Sequence, residues 1–121
     1  MPKKTPEEIA DENERTNERG LFDYADSFLA CARQLIDNPP PDRRFEPIHF
    51  LLSHAAELYL KSYLRQKGED VETLRNLGHS LRGLCEKATT YGISLPLHIH
   101  DTFAFLDETG ANREQIYSDR L

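Results

Sequence analysis

The sequence predicts an all-α fold, an up-and-down bundle of four main helices with a short fifth helix or an extended segment at the C-terminus. Three observations lead there. Apolar residues recur at helical spacing in four separate stretches, each stretch is closed by Pro or Gly, and no stretch alternates apolar with polar residues as a half-buried strand would. A chain of 121 residues, 38% of them hydrophobic, can build one core and not two. The expected organisation is a polar N-terminal arm over residues 1–17 followed by one helical domain over 18–121.

The arm is rich in Glu and Asn. Thr5-Pro6-Glu7-Glu8 has the form of a helix start, a cap followed by Pro at the first helical position and acids in the first turn. Little apolar surface accompanies it, so the arm is expected to be frayed or to extend the next helix into solvent. From Leu21 to Ile36 the pattern is clean: Leu21, Phe22, Tyr24, Ala25, Phe28, Leu29, Cys31, Ala32, Leu35 and Ile36 share one half of the helical wheel, and Asp23, Asp26, Ser27, Arg33 and Gln34 the other. Asn38-Pro39-Pro40-Pro41 stops this helix.

The second helix is expected from about Glu46 to Lys67, with Pro47 in its first turn and Gly68 as its stop. Its wide apolar arc, from Ile48 through Leu51, Leu52, Ala55, Ala56, Leu58, Tyr59 and Leu60 to Tyr63, marks it as the central helix. A narrower polar strip carries Glu46, Ser53, His54, Glu57, Lys61 and Arg65. Glu69 to Gly78 is expected to be a polar connection, leading to a third helix from about Ser80 to Tyr91 with Leu81, Leu84, Cys85, Ala88 and Tyr91 recurring at helical spacing and Gly92 as its stop. Gly83 lies inside that helix at a propensity cost of about 1 kcal/mol relative to Ala, and close approach of a neighbouring helix is the expected compensation. Ser94 is expected to cap a fourth helix ending at Gly110, with Leu95, Ile99, Phe103 and Leu106 as its inner stripe. Leu97, Ala104 and Phe105 give it a second apolar surface, and Ile116 and Tyr117 are expected to pack back from the last eleven residues.

Composition narrows the function classes. Net charge is −6, so a surface devoted to gripping phosphate backbones is disfavoured, although residues 61 to 87 carry a slight positive excess through Lys61, Arg65, Lys67, Arg75, Arg82 and Lys87. No stretch is apolar enough to span a bilayer, and the N-terminus lacks the apolar region of a secretory signal. Cytoplasmic localisation is therefore expected, with Cys31 and Cys85 as free thiols on apolar helix arcs and no disulfide between them. No cofactor and no metal are expected: His98 and His100 point to different sides of a helix, and His49 and His54 are five apart. There is also no phosphate-binding Gly-rich loop and no nucleophile elbow.

The residues that could carry chemistry gather in the middle of the chain. His54, Glu57 and Lys61 stand at i, i+3 and i+7 and line one strip of the second helix, with Glu57 N-terminal to Lys61 in the favourable order for an ion pair. Two readings follow. In one, this is a surface pair contributing about 0.3 to 0.5 kcal/mol, with His54 a polar neighbour. In the other, the strip walls a cleft and forms a ligand-binding surface to which the next helix brings His79. A histidine beside Glu57 can either fasten the third helix or act as an acid/base group. Arg75, followed by Asn76, lies close before His79. An arginine that stabilises a phosphate while an imidazole moves protons is what metal-free RNA cleavage needs, which makes His79 and Arg75 the catalytic candidates.

The run His54-Ala-Ala-Glu57-Leu-Tyr-Leu-Lys61-Ser-Tyr-Leu, with Gly78-His79-Ser-Leu and then Tyr91-Gly92-Ile93 further on, resembles the HEPN superfamily, in its branch with an H-A-x-E-L-x-L-K-x-Y-L … G-H-x-L signature. The resemblance implies an all-α bundle, frequently a homodimer. It also implies one of three roles: ribonuclease toxins paired with nucleotidyltransferase antitoxins, RNA-cleaving effectors of phage defence, or inactive RNA- or nucleotide-binding versions. Active members use Arg-x4-6-His, usually with a polar residue after the Arg, shared between two protomers. Here Arg75 to His79 is one residue short, and no His follows Arg113 or Arg120, so residue by residue the catalytic motif does not carry over. The leading expectation is a HEPN-like homodimer without efficient catalysis that binds RNA, a nucleotide or a protein partner, such as a nucleotidyltransferase-type antitoxin, in a toxin–antitoxin or phage-defence setting. The alternatives are a metal-independent ribonuclease using His79 with Arg75 or Lys61, and a plain interaction module dimerising through Leu97 and Phe105.

Overall fold

Helix caps in the sequence set most of the boundaries in the computed structural model, which describes residues 3–42 and 44–120, with side chains through residue 109. Six α-helices follow in order: α1 (Pro6–Arg15), α2 (Glu18–Asp37), α3 (Glu46–Gln66), α4 (Val71–Leu77), α5 (Leu81–Thr89) and α6 (Leu97–Arg120). The all-helical reading holds; the count of four main helices does not. The arm contains a helix of its own, capped by Thr5, whose hydroxyl accepts from Glu8 N–H at 3.1 Å. It ends at Thr16, and Asn17 opens α2 afresh by accepting from Gly20 N–H at 2.8 Å, so α1 is not an extension of α2. The expected polar connection holds α4, capped by Asp70 through Thr73 N–H at 2.8 Å and ended by Gly78 at φ +72°.

The inserted α4 changes the topology. Contacts run 18 to 62, 22 to 59 and 28 to 54 between α2 and α3, so these two are antiparallel. Between α3 and the segment carrying α5 they run 57 to 79 and 63 to 91, so α5 lies parallel to α3 rather than reversing it. From α5 to α6 the order reverses again, Leu81 meeting Asp107 and Cys85 meeting His100. A strict up-and-down path is thus replaced by one in which α4 supplies the short return leg.

The core sits around the C-terminal half of α3, where Leu60 and Leu64 meet Leu74 of α4, Leu81, Leu84 and Ala88 of α5, and Leu106 of α6. The apolar half of α2 is wider than the surface it buries. Ala25 and Ala32 are fully enclosed against α3, whereas Phe22, Tyr24 and Ile36 remain exposed. Cys31 is exposed as well, against expectation, and Cys85 is buried. No neighbouring helix approaches Gly83: a Cβ built there would meet only the Ser80 side chain, at 3.7 Å or beyond.

At the C-terminus two boundaries move. α6 begins at Leu97 and not after Ser94, because Pro96 biases Leu95 away from helical backbone. It also runs through Gly110 to Arg120, so there is no separate fifth element. The packing expected of Ile116 and Tyr117 lies outside the described side chains. Within α6, Leu106 is buried and Ile99 and Phe103 half-buried, while Leu97 and Phe105 form the expected outer surface.

Candidate functional site

Glu57 is the polar residue that the fold encloses most tightly together with Ser62, each 7% exposed. Its position on α3, one turn before Leu60 and Lys61, would leave it in solvent on a lone α2–α3 hairpin. The junction between α4 and α5 meets it through His79, and the Glu57 and Lys61 part of the polar strip becomes a covered wall. Lys61 Nζ donates to Glu57 Oε2 at 3.1 Å, and both side chains are largely covered. His79 Nδ1 stands 3.1 Å from each oxygen of the same carboxylate. The two sequence-predicted partners of Glu57 therefore do converge on it.

The segment that carries the histidine is fixed by its neighbours in three ways. Gly78, in the left-handed region, turns the chain out of α4 so that His79 lies beside α3. Ser80 then caps α5 by accepting from Gly83 N–H. Asp107 reaches across from α6 and accepts from Leu81 N–H at 2.8 Å, Arg82 N–H at 3.1 Å and the Ser80 hydroxyl at 3.2 Å. A carboxylate at a helix start satisfies otherwise orphaned N–H groups and complements the helix dipole. Asp107 thus fixes the segment that presents His79. It is the supporting residue that sequence spacing does not reveal, because the contact spans 26 residues.

An ionised carboxylate only accepts, so its contact directs the imidazole proton to Nδ1 and leaves Nε2 as the acceptor of the neutral ring. The His79 side chain is 83% exposed. The arrangement is a surface imidazole oriented by a buried carboxylate, able to take a proton from, or donate a hydrogen bond to, a ligand arriving from solvent.

The other candidates are placed elsewhere. His54 packs edge-on against Phe28 with ring centroids 4.5 Å apart and stacks on Phe50 at 6.1 Å, joining an aromatic cluster at the α2–α3 seam. Arg75 points to α1, where its guanidinium pairs with Glu12, and Lys4 joins the same carboxylate. Hydrogen bonds from Lys4 and Arg75 hold the Glu12 carboxyl below its ordinary pKa. The expected partnership of Arg75 with His79 is thus replaced by an ion pair from α4 to the N-terminal helix.

Arg44 and His49 do stand with four residues between them, the spacing attached above to active members, so the motif is not absent from the chain. A motif search confined to Arg75 and the last helix overlooks them. A nonpolar residue, Phe45, follows Arg44. The Arg44 guanidinium lies 3.6 Å from Asp42, and the His49 ring meets Phe105 of α6 edge-on with centroids 5.4 Å apart.

Among the described residues no helix is long and apolar enough to cross a membrane. A family model described as HEPN domain matches residues 19–113, from the start of α2 into the second half of α6. No curated protein and no solved structure matches the chain.

Proposed function

The chain belongs to the HEPN domain family, and on that premise we propose that it is a helical binding module for RNA or a nucleotide, acting without efficient catalysis. The observation that carries this reading is the division of charges around His79. Its imidazole faces solvent, but Lys61 is committed to Glu57 beneath the ring and Arg75 to Glu12. Cleavage of a phosphodiester requires a proton carrier and, beside it, a cation for the developing charge. His79 supplies the first; the two cations nominated for the second are engaged elsewhere. A bound phosphate or base edge needs only the oriented imidazole. A homodimer, a cytoplasmic setting, and a toxin–antitoxin or phage-defence role with a nucleotidyltransferase-type partner belong to the same proposal.

A second reading, a metal-independent ribonuclease, draws support from the carboxylate-oriented imidazole and from the spacing of Arg44 and His49. One experiment separates the two: RNA binding and RNA cleavage measured with chelator present, in wild type, His79→Ala and His49→Ala. Binding without cleavage, weakened in His79→Ala, is the expected result. Cleavage lost in His79→Ala or in His49→Ala would replace the binding reading with the nuclease one and say which histidine acts. Failure of wild type to bind RNA or nucleotides would end both.

A further inference from the structure

Helix α1 lies wholly outside residues 19–113 that match the family. Its ten residues include Glu7, Glu8, Asp11, Glu12 and Glu14 against Arg15 alone, and none of the ten is buried. Arg65 donates from Nε to Thr16 O at 3.0 Å and from its terminal nitrogen to Asn13 O at 2.9 Å. Asn13 Oδ1 accepts from Val71 N–H at 2.9 Å. Glu12 pairs with Arg75 and Lys4 across an open cleft of about 400 Å³ that Lys3 also lines. An acidic helix is thus docked by polar contacts onto the part of the chain where positive charge is in excess.

α1 presents a carboxylate and two main-chain carbonyl oxygens to guanidiniums, a donor type that also takes phosphate oxygens. Consecutive residues, Glu12 and Asn13, engage Arg75 and Arg65, so the two guanidiniums flank one helical turn. The nearby acids are mostly occupied: Glu69 by Tyr91 and Lys87, Asp70 by Thr73 N–H, with Glu72 at the cleft rim. We propose that α1 is a resident pseudo-ligand, its Glu12 carboxylate and last carbonyls standing at Arg75 and Arg65 where the phosphate oxygens of a single-stranded RNA bind once α1 lifts away. The proposal rests on the RNA reading above and assigns a second contact surface distinct from His79. Docking by polar groups suits such exchange, because it excludes little water and weakens with salt.

The test uses the full chain and a short single-stranded RNA of mixed sequence, with wild type, Glu12→Gln, Glu72→Gln, Arg75→Ala and His79→Ala compared. Affinity is read by anisotropy over a salt series, and α1 by amide hydrogen exchange. Glu72→Gln removes the same charge from the same cleft without touching the Arg75 pair, and melting curves confirm that each variant is folded. Glu12→Gln, which frees both Arg75 and Lys4, is expected to bind about two- to fivefold more tightly than wild type, with Glu72→Gln nearer to wild type. Arg75→Ala is expected to bind more weakly with a salt slope reduced by about 1. RNA is expected to accelerate exchange in α1. Equal tightening by Glu72→Gln, no tightening by Glu12→Gln, or α1 amides that stay protected in the complex would each overturn the pseudo-ligand. If those results came with RNA binding that His79→Ala abolishes, the proposed function would stand and only this inference would fall. No binding by any variant would overturn both.

Discussion

Replacing Glu57 by Gln removes the one negative charge enclosed between Lys61 and His79. The Lys61–Glu57 contact of 3.1 Å, at an effective dielectric near 20, corresponds to about 5 kcal/mol of Coulomb attraction, from which desolvation of both ions must be subtracted. The His79 arm contributes little to this sum, about 0 to 1 kcal/mol, because that side chain is 83% exposed. The Lys61 arm dominates, since only 13% of the Lys61 side chain and 9% of the Glu57 side chain are exposed. Removing one partner leaves a covered ammonium without its counter-ion, and the expected loss is about 2 to 4 kcal/mol. Removing both partners is different. The double variant Glu57→Gln/Lys61→Met no longer strands a charge, so its destabilisation should fall well short of the sum of the two single changes. The assay is urea unfolding of all four proteins, with unchanged slopes confirming a common denatured state. Additive losses, or a Glu57→Gln midpoint indistinguishable from wild type, would show that the pair is solvated in solution and that the wall assigned to this strip does not exist.

Asp107→Ala should cost about 1 to 2 kcal/mol in the same unfolding assay, because it strips the carboxylate that serves the first N–H groups of α5, and the His79 ring resonances should broaden or shift. Gly83→Ala should stabilise the chain by about 0.5 to 1 kcal/mol, since the new methyl enters ordinary contact distance of Ser80 and removes glycine's backbone entropy; a lower melting temperature would refute the open space assigned there. Stability should decline as pH falls below about 4, around the ordinary carboxylate range. The Tyr91 hydroxyl depresses Glu69, the Thr73 N–H depresses Asp70, and Lys4 with Arg75 depresses Glu12. A carboxyl with a lower pKa folded than unfolded stabilises above the unfolded value and loses that contribution as pH drops through the folded one. Urea midpoints between pH 7 and pH 2.5 check this, and a midpoint that rises below pH 4 would contradict it.

How much of this was legible in the sequence depends on the range of the interaction concerned. The periodicity of α2 and α3 is long enough that their spans follow within a few residues. In contrast, α4 offers only Val71, Leu74 and Leu77 in seven residues, too few to establish a period. Its caps were nonetheless readable, with Asp70 before it, Glu72 in its first turn and Gly78 behind. Gly110 misleads for a related reason: a glycine stops a helix when it adopts the left-handed conformation, and otherwise it costs only about 1 kcal/mol. Glu57 and His79 could be paired from the signature, but the enclosure of Glu57 could not be seen, because it depends on where α5 begins in space. His54 shares the same strip by spacing but packs edge-on against Phe28 of α2 and stacks on Phe50.

Much of the family signature in this chain is used to hold the fold, and this bears on how the signature should be read. Leu60, Leu64 and Leu81 are buried in the core, Gly78 makes the turn that a side chain would strain, and Lys61 neutralises Glu57 from within. Glu57 in turn ties α3 to His79, two residues before α5. A run of this kind would serve a binding module and a nuclease equally well, since either needs α5 set in register beside α3. The signature therefore argues for the scaffold, and function has to be sought where its residues still face outward. Of the signature residues that meet Glu57, the one that does so is His79, its imidazole set against α3 and open to solvent on its other side. It follows that His79→Gln, which keeps a polar contact to Glu57 while abolishing proton exchange, is the informative substitution. If binding of RNA survives it with stability unchanged, the ring serves as a hydrogen-bonding contact. If a chelator-resistant cleavage activity is lost at unchanged stability, the ring moves protons and the binding-only reading fails.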